Sequence, residues 1–426
     1  YDDDYADAYW NATEATLYLW DGNGTSMSNV FHPESDEALP GLTKTMDVTV
    51  YGSDGNDYFN LNVNRTDDYS GNWTFNMGAG DDIFNSAKLK NGDSVDMGAG
   101  DDTVSIMATG SNGTPTIANL SLTKLDGGAG NDTLKFEGTD SNTTELTLTT
   151  GGATNFENII GTAGGETIKG DANANILKGQ GGNDTLEGDA GDDTLKGGTG
   201  DDTLDGGTGT DTMTGGDGID TFIIRANDGS TTLADADIVT DFTNGTDVIG
   251  MDSVAYDDLT IAQGTDDYAN HTLVSITATG EYVLILENTT ASTITAVDFS
   301  STSTEAQTLT GTAGNDIFIG SAGDDTFNGG AGDDELYGHG GNDTFNITDK
   351  SGAFTDTIDG GSGTDTLDID YTGVTDLGDF TVTYDSSTTI TTLTDANRSE
   401  EHTSELQSRT NLVCRLLLEK KNKRAQ

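Results

Sequence analysis

The sequence predicts an all-β protein in which short parallel strands stack as the coils of a solenoid, with antiparallel strands as caps. Three observations favour this fold class. A glycine-rich unit of nine residues repeats without slippage from Gly161 to Ile223. Each unit has one large apolar residue, which is too few for an amphipathic helix but suits a short strand with one inward side chain. Hydrophobic residues make up only 32% of the chain, which is low for a conventional globular core.

The regular block holds seven consecutive units, from GTAGGETIK to GGDGIDTFI. Glycine fills the first position and usually the fourth, where it supplies turn conformations that other residues reach only with strain. Position 8 is apolar in every unit, which places one inward side chain on each short strand. Position 6 holds Glu166, Asn175, Asp184, Asp193, Asp202, Asp211 and Asp220.

Two units of nine residues would form one flattened coil, so alternate units should stack on the same side. Asp184, Asp202 and Asp220 would form one column, and Asp193 and Asp211 the opposite one. Carboxylates at the spacing of neighbouring strands, about 4.8 Å, would repel one another. A hard cation between turns would remove that repulsion, and calcium accepts carboxylate and carbonyl oxygens together. The pattern therefore predicts calcium sites along both columns.

The pattern GGxGxDxUx, in which U is a large apolar residue, resembles the RTX, or haemolysin-type, calcium-binding repeats. The resemblance implies a parallel β-helix or β-roll, with calcium held in the turns by the position-6 aspartates and by backbone carbonyls of neighbouring turns. Glu166 and Asn175 depart from the pattern, so we expect weak calcium binding or none in the first coil. A disordered Gly/Asp-rich linker would show no common register of Asp and Leu.

The same motif occurs in two further regions. Four diluted copies at longer spacing between Val48 and Phe136 suit a parallel β-helix with one such turn per larger coil, although some could be simple Asx-type turns. Gly311–Asn346 is a second regular block, and one more unit begins at Gly360. We therefore expect further calcium ligands outside the first block. They are Asp57, Asp82, Asp102, Asp132, Asp316, Asp325, Asp334, Asp343 and Asp365.

In the second regular block, Asp316 should pair with Asp334, and Asp325 with Asp343.

Composition divides the chain into seven segments. The segments are an N-terminal strand, cap or linking segment (1–41), an irregular β-helix (42–160), the regular β-roll (161–225), a β-rich cap (226–305), a second β-roll (306–370), the start of a further β cap (371–397) and an atypical tail (398–426).

Two segments next to the repeats leave alternatives open. Apolar side chains on both faces of Ala15–Trp20 suit a strand, which either caps the first coil or is exchanged between subunits. The segment Asp235–Met251 resembles the DxIxDFxxGxDxI sequence that often closes an RTX roll, and would cover an open solenoid end. Its Asp237, Asp241 and Asp247 are expected to be turn residues, with one further cation site as the alternative.

The tail differs in composition from everything before it. From Arg398 onwards glycine is absent, basic residues are frequent and the only cysteine, Cys414, occurs. Residues 398–421 look like the in-frame translation of a sequencing adapter, so the tail is excluded from the fold prediction. The alternative is a short amphipathic helix from Leu412 to Leu418.

The net charge and the absence of known catalytic motifs exclude several classes of function. A formal net charge of -56 excludes nucleic acid as an ordinary partner, and no apolar run approaches the roughly 18 residues of a membrane span. The chain has no HExxH or GxSxG motif and no Cys/His zinc cluster, so we expect no enzymatic activity. His339, at position 2 of a repeat, is expected to be an exposed turn residue.

These features favour an extracellular calcium-binding structural protein, a subunit of a surface layer, matrix fibre or filament. Calcium ions are expected partners, because millimolar calcium outside the cell matches weak multi-carboxylate sites. Other copies of the chain are the second expected partner. The alternatives are the C-terminal repeat module of a secreted hydrolase or cytolysin, and a calcium-dependent adhesin. Outward threonines at position 7 favour the adhesin slightly: Thr185, Thr194, Thr203, Thr212 and Thr221.

Overall fold

The computed structural model describes residues 7–11, 16–20, 28–29, 47–61, 71–86, 92–107, 124–137, 145–149, 153–348, 355–370, 378–384, 390–398 and 412–417. Within these ranges the regular elements are β-strands and short 3-10 turns, so the predicted all-β class is confirmed. No helix among the described residues is long and apolar enough to cross a membrane.

The first part of the chain contains twenty-one short strands. They are β1 (Asp7–Asn11), β2 (Thr16–Trp20), β3 (Ser28–Asn29), β4 (Val48–Tyr51), β5 (Tyr58–Leu61), β6 (Trp73–Asn76), β7 (Ile83–Ser86), β8 (Ser94–Asp96), β9 (Thr103–Met107), β10 (Lys124–Asp126), β11 (Thr133–Glu137), β12 (Glu145–Thr147), β13 (Ala153–Thr154), β14 (Asn158–Ile160), β15 (Thr167–Lys169), β16 (Ile176–Gly181), β17 (Thr185–Glu187), β18 (Thr194–Thr199), β19 (Thr203–Asp205), β20 (Thr212–Asp217) and β21 (Thr221–Arg225).

The second part adds sixteen strands and five 3-10 turns. The strands are β22 (Ile238–Val239), β23 (Val248–Asp252), β24 (Leu259–Gln263), β25 (Thr272–Ile276), β26 (Tyr282–Leu286), β27 (Phe299–Ser301), β28 (Thr308–Thr310), β29 (Ile317–Ile319), β30 (Thr326–Asn328), β31 (Glu335–Tyr337), β32 (Thr344–Thr348), β33 (Thr355–Asp359), β34 (Asp365–Asp370), β35 (Gly378–Tyr384), β36 (Ile390–Arg398) and β37 (Leu412–Leu417). The 3-10 turns are Leu233–Asp235, Tyr256–Asp258, Asp266–Tyr268, Ala291–Thr293 and Ala296–Asp298.

The strands belong to two compact units. Unit 1 comprises Tyr1–Phe222, Asn227–Phe242 and Leu284–Asn288. Unit 2 comprises Ile223–Ala226, Thr243–Val283 and Thr289–Gln426.

In unit 1 the repeats form two parallel ladders. Strands β15, β17 and β19 follow one another in one ladder, and β16, β18 and β20 in the other. Thr185 lies opposite Thr203, and Thr203 opposite Thr221, so each strand pairs with the unit two repeats further along. This is the stacking of alternate units that the nine-residue pattern predicts, and it confirms the parallel solenoid.

The irregular region of unit 1 has the same architecture with longer connections. Strands β5, β7, β9 and β11 stack in parallel, and β11 is followed in the ladder by β14 and then β16. Strands β4, β6, β8, β10 and β13 form the matching ladder. The irregular coils therefore run without interruption into the regular ones. At the other edge, β1 and β2 form an antiparallel hairpin, and β2 pairs with β4 of the same chain.

The core of unit 1 is a row of single side chains inside the coils. In the regular block the position-8 residues are fully buried: Ile168, Leu177, Leu186, Leu195, Leu204, Met213 and Phe222. In the irregular coils aromatic rings fill the interior, and the centroids of Phe75 and Phe84 lie 4.8 Å apart. Burying one such side chain contributes about 1.5–3 kcal/mol, so these rows hold the coils together.

Unit 2 repeats the solenoid and adds antiparallel strands. Strands β28, β30, β32 and β34 form one parallel ladder, and β29, β31 and β33 the other. Phe327 stacks on Phe345 with ring centroids 4.6 Å apart. Antiparallel pairs join β24 to β25, β33 to β36 and β36 to β35. The Leu412–Leu417 segment is strand β37 beside β34, so the helix considered for this part of the tail is not formed.

Close stacking of turns gives one glycine of each motif a steric role. Gly361 has a φ of +72°, and a Cβ there would lie 2.0 Å from the carbonyl oxygen of His339 in the preceding coil. Gly245, also in unit 2, has a φ of +73° but open space around the same position. The two glycines therefore separate the cost of the backbone conformation from the cost of the clash.

We expect Gly245→Ala to lower the free energy of unfolding by about 1–2 kcal/mol, because only the left-handed backbone penalises it. Gly361→Ala should cost roughly a further 1–3 kcal/mol, because the coils must also separate to admit the methyl group. Urea unfolding in calcium, followed by circular dichroism, measures both variants. Equal losses in the two variants would contradict the close-stacking explanation.

Candidate calcium-binding turns

The position-6 aspartates form continuous ladders along the coils. The backbone N–H of Asp184 donates to Oδ1 of Asp202 at 2.8 Å, and the N–H of Asp202 donates to Oδ1 of Asp220 at 3.0 Å. On the opposite side the N–H of Asp193 donates to Oδ1 of Asp211 at 2.7 Å. The two predicted columns are therefore present, and each carboxylate fastens its own coil to the coil before it.

The same ladder runs through the irregular coils. The N–H of Asp57 donates to Oδ1 of Asp82 at 2.7 Å, and Asp82 is bonded in the same way to Asp102 at 2.7 Å. Asp102 donates to Asp132 at 2.8 Å, and the column passes to Glu157, whose Oε2 accepts from Asp132 at 2.7 Å. These isolated turns thus share the geometry of the regular block.

In unit 2 the predicted pairs are also neighbours. Asp316 donates its N–H to Asp334 Oδ1 at 3.1 Å, and Asp325 donates to Asp343 Oδ1 at 2.8 Å. Asp343 continues to Asp365 at 3.0 Å. All fourteen aspartates expected as ligands therefore lie in such ladders.

Three further aspartates hold equivalent places and were missed as ladder members. The N–H groups of Asp211, Asp334 and Trp73 donate to Oδ1 of Asp237, Asp356 and Asp93 at 2.9, 3.0 and 2.8 Å. None of the three follows a glycine-rich turn, so the nonapeptide pattern does not mark them. The signal that could have found them is an aspartate directly before a short strand or within its first two residues, as in DIV, DSVD and TDTID.

The other two carboxylates of the segment after the regular block bind backbone groups. Asp241 accepts from the N–H groups of Gly215 and Gly216 at 3.0 and 2.9 Å. Asp247 accepts from the N–H of Thr243 at 2.7 Å, which is a local turn bond of the expected kind.

Eight of the ladder aspartates keep a second carboxylate oxygen that receives no hydrogen bond. Their side chains are at most 2% exposed, and a buried polar atom without a partner costs free energy. The Oδ2 atoms concerned belong to Asp82, Asp102, Asp132, Asp184, Asp193, Asp202, Asp211 and Asp343. A proton or a cation would satisfy each of them.

Calcium fits this donor set. The free atoms are hard carboxylate oxygens, and backbone carbonyls lie beside them: a Cβ on Gly188 would meet both Asp193 Oδ2 and the Gly206 carbonyl oxygen at 2.4 Å. Among the described residues, no three His, Cys, Asp or Glu side chains come together in a metal cluster. A cation here would therefore take backbone oxygens along with the carboxylate.

Burial also changes the acidity of these groups. Desolvation raises the pKa of Asp184, Asp193 and Asp202 from 3.8 to about 7, although the bond from the preceding backbone N–H opposes the shift. The pKa of Asp82 rises to about 8 by the same cause, with neighbouring carboxylates adding to it. The ionised form is thus disfavoured at neutral pH unless a cation compensates the charge.

His339 is not the exposed turn residue that its repeat position suggested. The residue is half-buried, with a φ of +65°. Its Nε2 atom is buried without a hydrogen-bond partner, and burial lowers the pKa of the imidazole. The prediction was wrong because position 2 faces the adjoining part of unit 2, where the Phe299 backbone bonds the ring.

Comparison with known proteins identifies the repeats. The family model of the RTX calcium-binding nonapeptide repeat (4 copies) matches residues 47–63, 124–135, 160–195, 187–222, 310–345 and 351–368. A comparison with curated proteins gave no match.

Among solved structures, the chain is similar to the solution structure of the AlgE6R3 subunit of the mannuronan C5-epimerase from Azotobacter vinelandii. The two sequences are 25% identical, and the match covers 33% of this chain and 80% of that one, with a TM-score of 0.16. A score this low leaves the fold to be established from the strand pairing described above. The strand pairing is that of a parallel β-roll, and these six matched segments of the chain are similar to the RTX calcium-binding repeat.

Proposed function

We propose that the chain is an extracellular structural protein that assembles with copies of itself into a surface layer, matrix fibre or filament once calcium has bound. The observation that carries the proposal is the run of buried aspartate ladders through both units. Calcium at these ladders would stabilise the scaffold itself, and a stack of locked coils is a stiff building block.

The proposed calcium sites also favour an extracellular location. Proteins with RTX repeats are typically secreted. Outside the cell millimolar calcium matches weak sites built from a few carboxylates and carbonyls. The formal net charge of -56 gives the calcium-free chain strong self-repulsion, which bound cations reduce.

The second solenoid offers edges for assembly. Strands β28 and β29 each end a sheet among the described strands. Their inward side chains Leu309 and Phe318 are only half-buried, although they pack against the core of unit 2. An edge strand presents unpaired N–H and C=O groups, which can pair with a strand of another copy.

Unit 2 also contains a cleft of about 930 Å³, lined by carboxylates, hydroxyls and apolar groups, including Asp252, Asp257 and Glu305. The structural role proposed for the chain assigns this cleft no reaction.

Calcium and protons should have opposite effects on stability. The raised pKa values mean that the calcium-free folded chain holds protons that the unfolded chain releases above about pH 4. The stability that depends on these protons is complete below about pH 4 and is lost as the pH rises through about 7. Melting of calcium-free protein, followed by circular dichroism, should therefore occur at lower temperature at pH 8 than at pH 5.

Millimolar calcium should remove this loss, because it binds the ionised carboxylates and competes with protons. The control is the same series with magnesium, which dehydrates reluctantly and demands stricter geometry. A calcium-free melting temperature that increases from pH 5 to pH 8 would contradict the assignment of buried, protonated aspartates.

Assembly is tested by negative-stain electron microscopy and light scattering of the full chain, with millimolar calcium and with chelator. We expect fibres or two-dimensional sheets in calcium alone, because the coils and their edges must be ordered before they can pair. Calcium-induced β-structure that stays monomeric would contradict assembly and leave a calcium-binding β-roll. The repeat-module and adhesin interpretations would then be preferred.

A further inference from the structure

Thirteen of the sixteen repeat turns fall into two structural classes. In five turns the backbone N–H at position 2 donates to the side chain at position 6, and we call these self-capped turns. The bonds are Ser53 to Asp57 Oδ2 at 2.6 Å, Thr162 to Glu166 Oε2 at 3.1 Å, Asp171 to Asn175 Oδ1 at 2.8 Å, Thr312 to Asp316 Oδ2 at 2.7 Å and Ser321 to Asp325 Oδ2 at 2.6 Å.

Hydroxyl groups complete several of these turns. Ser321 Oγ lies 3.0 Å from both carboxylate oxygens of Asp325, and it accepts the N–H of Gly323 at 2.9 Å. Thr312 bridges Asp316 and Gly314 in the same way. The hydroxyl and backbone donors of the turn itself therefore occupy both oxygens of these carboxylates.

The other class contains the eight aspartates with a free Oδ2, and we call these open turns. In each, the position-2 residue has a positive φ, as in Gly198 (+125°) before Asp202 and His339 (+65°) before Asp343. None of the five position-2 residues of the self-capped turns has a positive φ. The sign of φ at position 2 therefore separates turns that receive the local N–H from turns that do not.

Self-capped turns precede open turns in three stretches of the chain: the irregular coils, the regular block and the second block. Asp57 begins the first ladder, Glu166 and Asn175 are the first two units of the regular block, and Asp316 and Asp325 are the first two of the second block. Asn175 has no charge to neutralise, and its amide also donates to the Glu157 carbonyl at 2.8 Å.

We propose that open turns take calcium and that self-capped turns close without it, so that each of these three stretches opens with turns that need no metal. The proposal rests on the calcium binding proposed above and assigns it turn by turn. It removes Asp57, Asp316 and Asp325 from the calcium ligands that the sequence pattern suggested. Coils that are ordered without metal would then template the calcium-dependent coils that follow.

Two aspartates of one column provide the test. Asp325 is self-capped and Asp343 is open, and they occupy successive coils of unit 2, joined by the 2.8 Å bond. Asn keeps the shape of Asp and one acceptor oxygen, so each variant, Asp325→Asn or Asp343→Asn, removes the charge of one turn. In Asp325→Asn the amide NH2 also replaces an oxygen that accepts a backbone N–H, so the melting temperature of each variant is measured beside its bound calcium. Equilibrium dialysis of the full chain with metal quantification measures bound calcium.

We expect Asp343→Asn to lose about one calcium per chain and Asp325→Asn to keep the wild-type number. Equal losses would overturn the two-class inference while leaving calcium binding intact. Wild-type protein that binds no calcium would instead overturn the proposed function.

If the Asn variants do not fold, a Ser321→Ala variant tests the assignment of the two turn classes. Ser321→Ala removes the hydroxyl bonds of a self-capped turn, so it should lower the melting temperature of calcium-free protein by about 2–4 °C. It should leave the number of bound calcium ions unchanged. A changed calcium number, or an unchanged calcium-free melting temperature, would contradict the inference.

Discussion

The structure depends on one hydrogen bond repeated from coil to coil: a backbone N–H donates to the buried carboxylate of the next coil. The bond holds coils in register wherever the chain returns to the same side, whether after 18 residues, as from Asp184 to Asp202, or after 30, as from Asp102 to Asp132. It uses one oxygen of each carboxylate, and in the open turns the other oxygen stays buried without a hydrogen bond. The proposed calcium sites are thus a consequence of how the coils are joined.

Burial of apolar side chains contributes only a small stabilising free energy to each coil. Each nine-residue half-coil of the regular block buries one large side chain, such as Leu186 or Leu204, which contributes about 1.5–3 kcal/mol. The coil-to-coil bonds of the aspartate ladders add to this burial, and the proposed cations would add further stability in a chain with so few hydrophobic residues.

The sequence predicts the register of the regular coils because Asp and Leu recur with the same period, and each pairing then follows from counting residues. It does not predict Asp93, Asp237 or Asp356, because their connections have other lengths and lack the glycine turn that marks the motif. His339 shows a second limit. A position that is exposed in an isolated repeat becomes half-buried when another segment of the unit packs over it, and packing of that kind is not encoded within nine residues.

Position 2 shows why composition alone cannot separate the two turn classes. Gln180, Asp189 and His339 adopt the positive φ that glycine adopts in other open turns, although a side chain there costs free energy. Asp171 has the same side chain as Asp189, yet it lies in a self-capped turn. The backbone conformation, rather than the identity of the position-2 residue, therefore determines whether the position-6 side chain accepts the local N–H. If coils grow from turns that close without metal, calcium concentration controls how far each run of coils extends, and its starting point is already set by the chain.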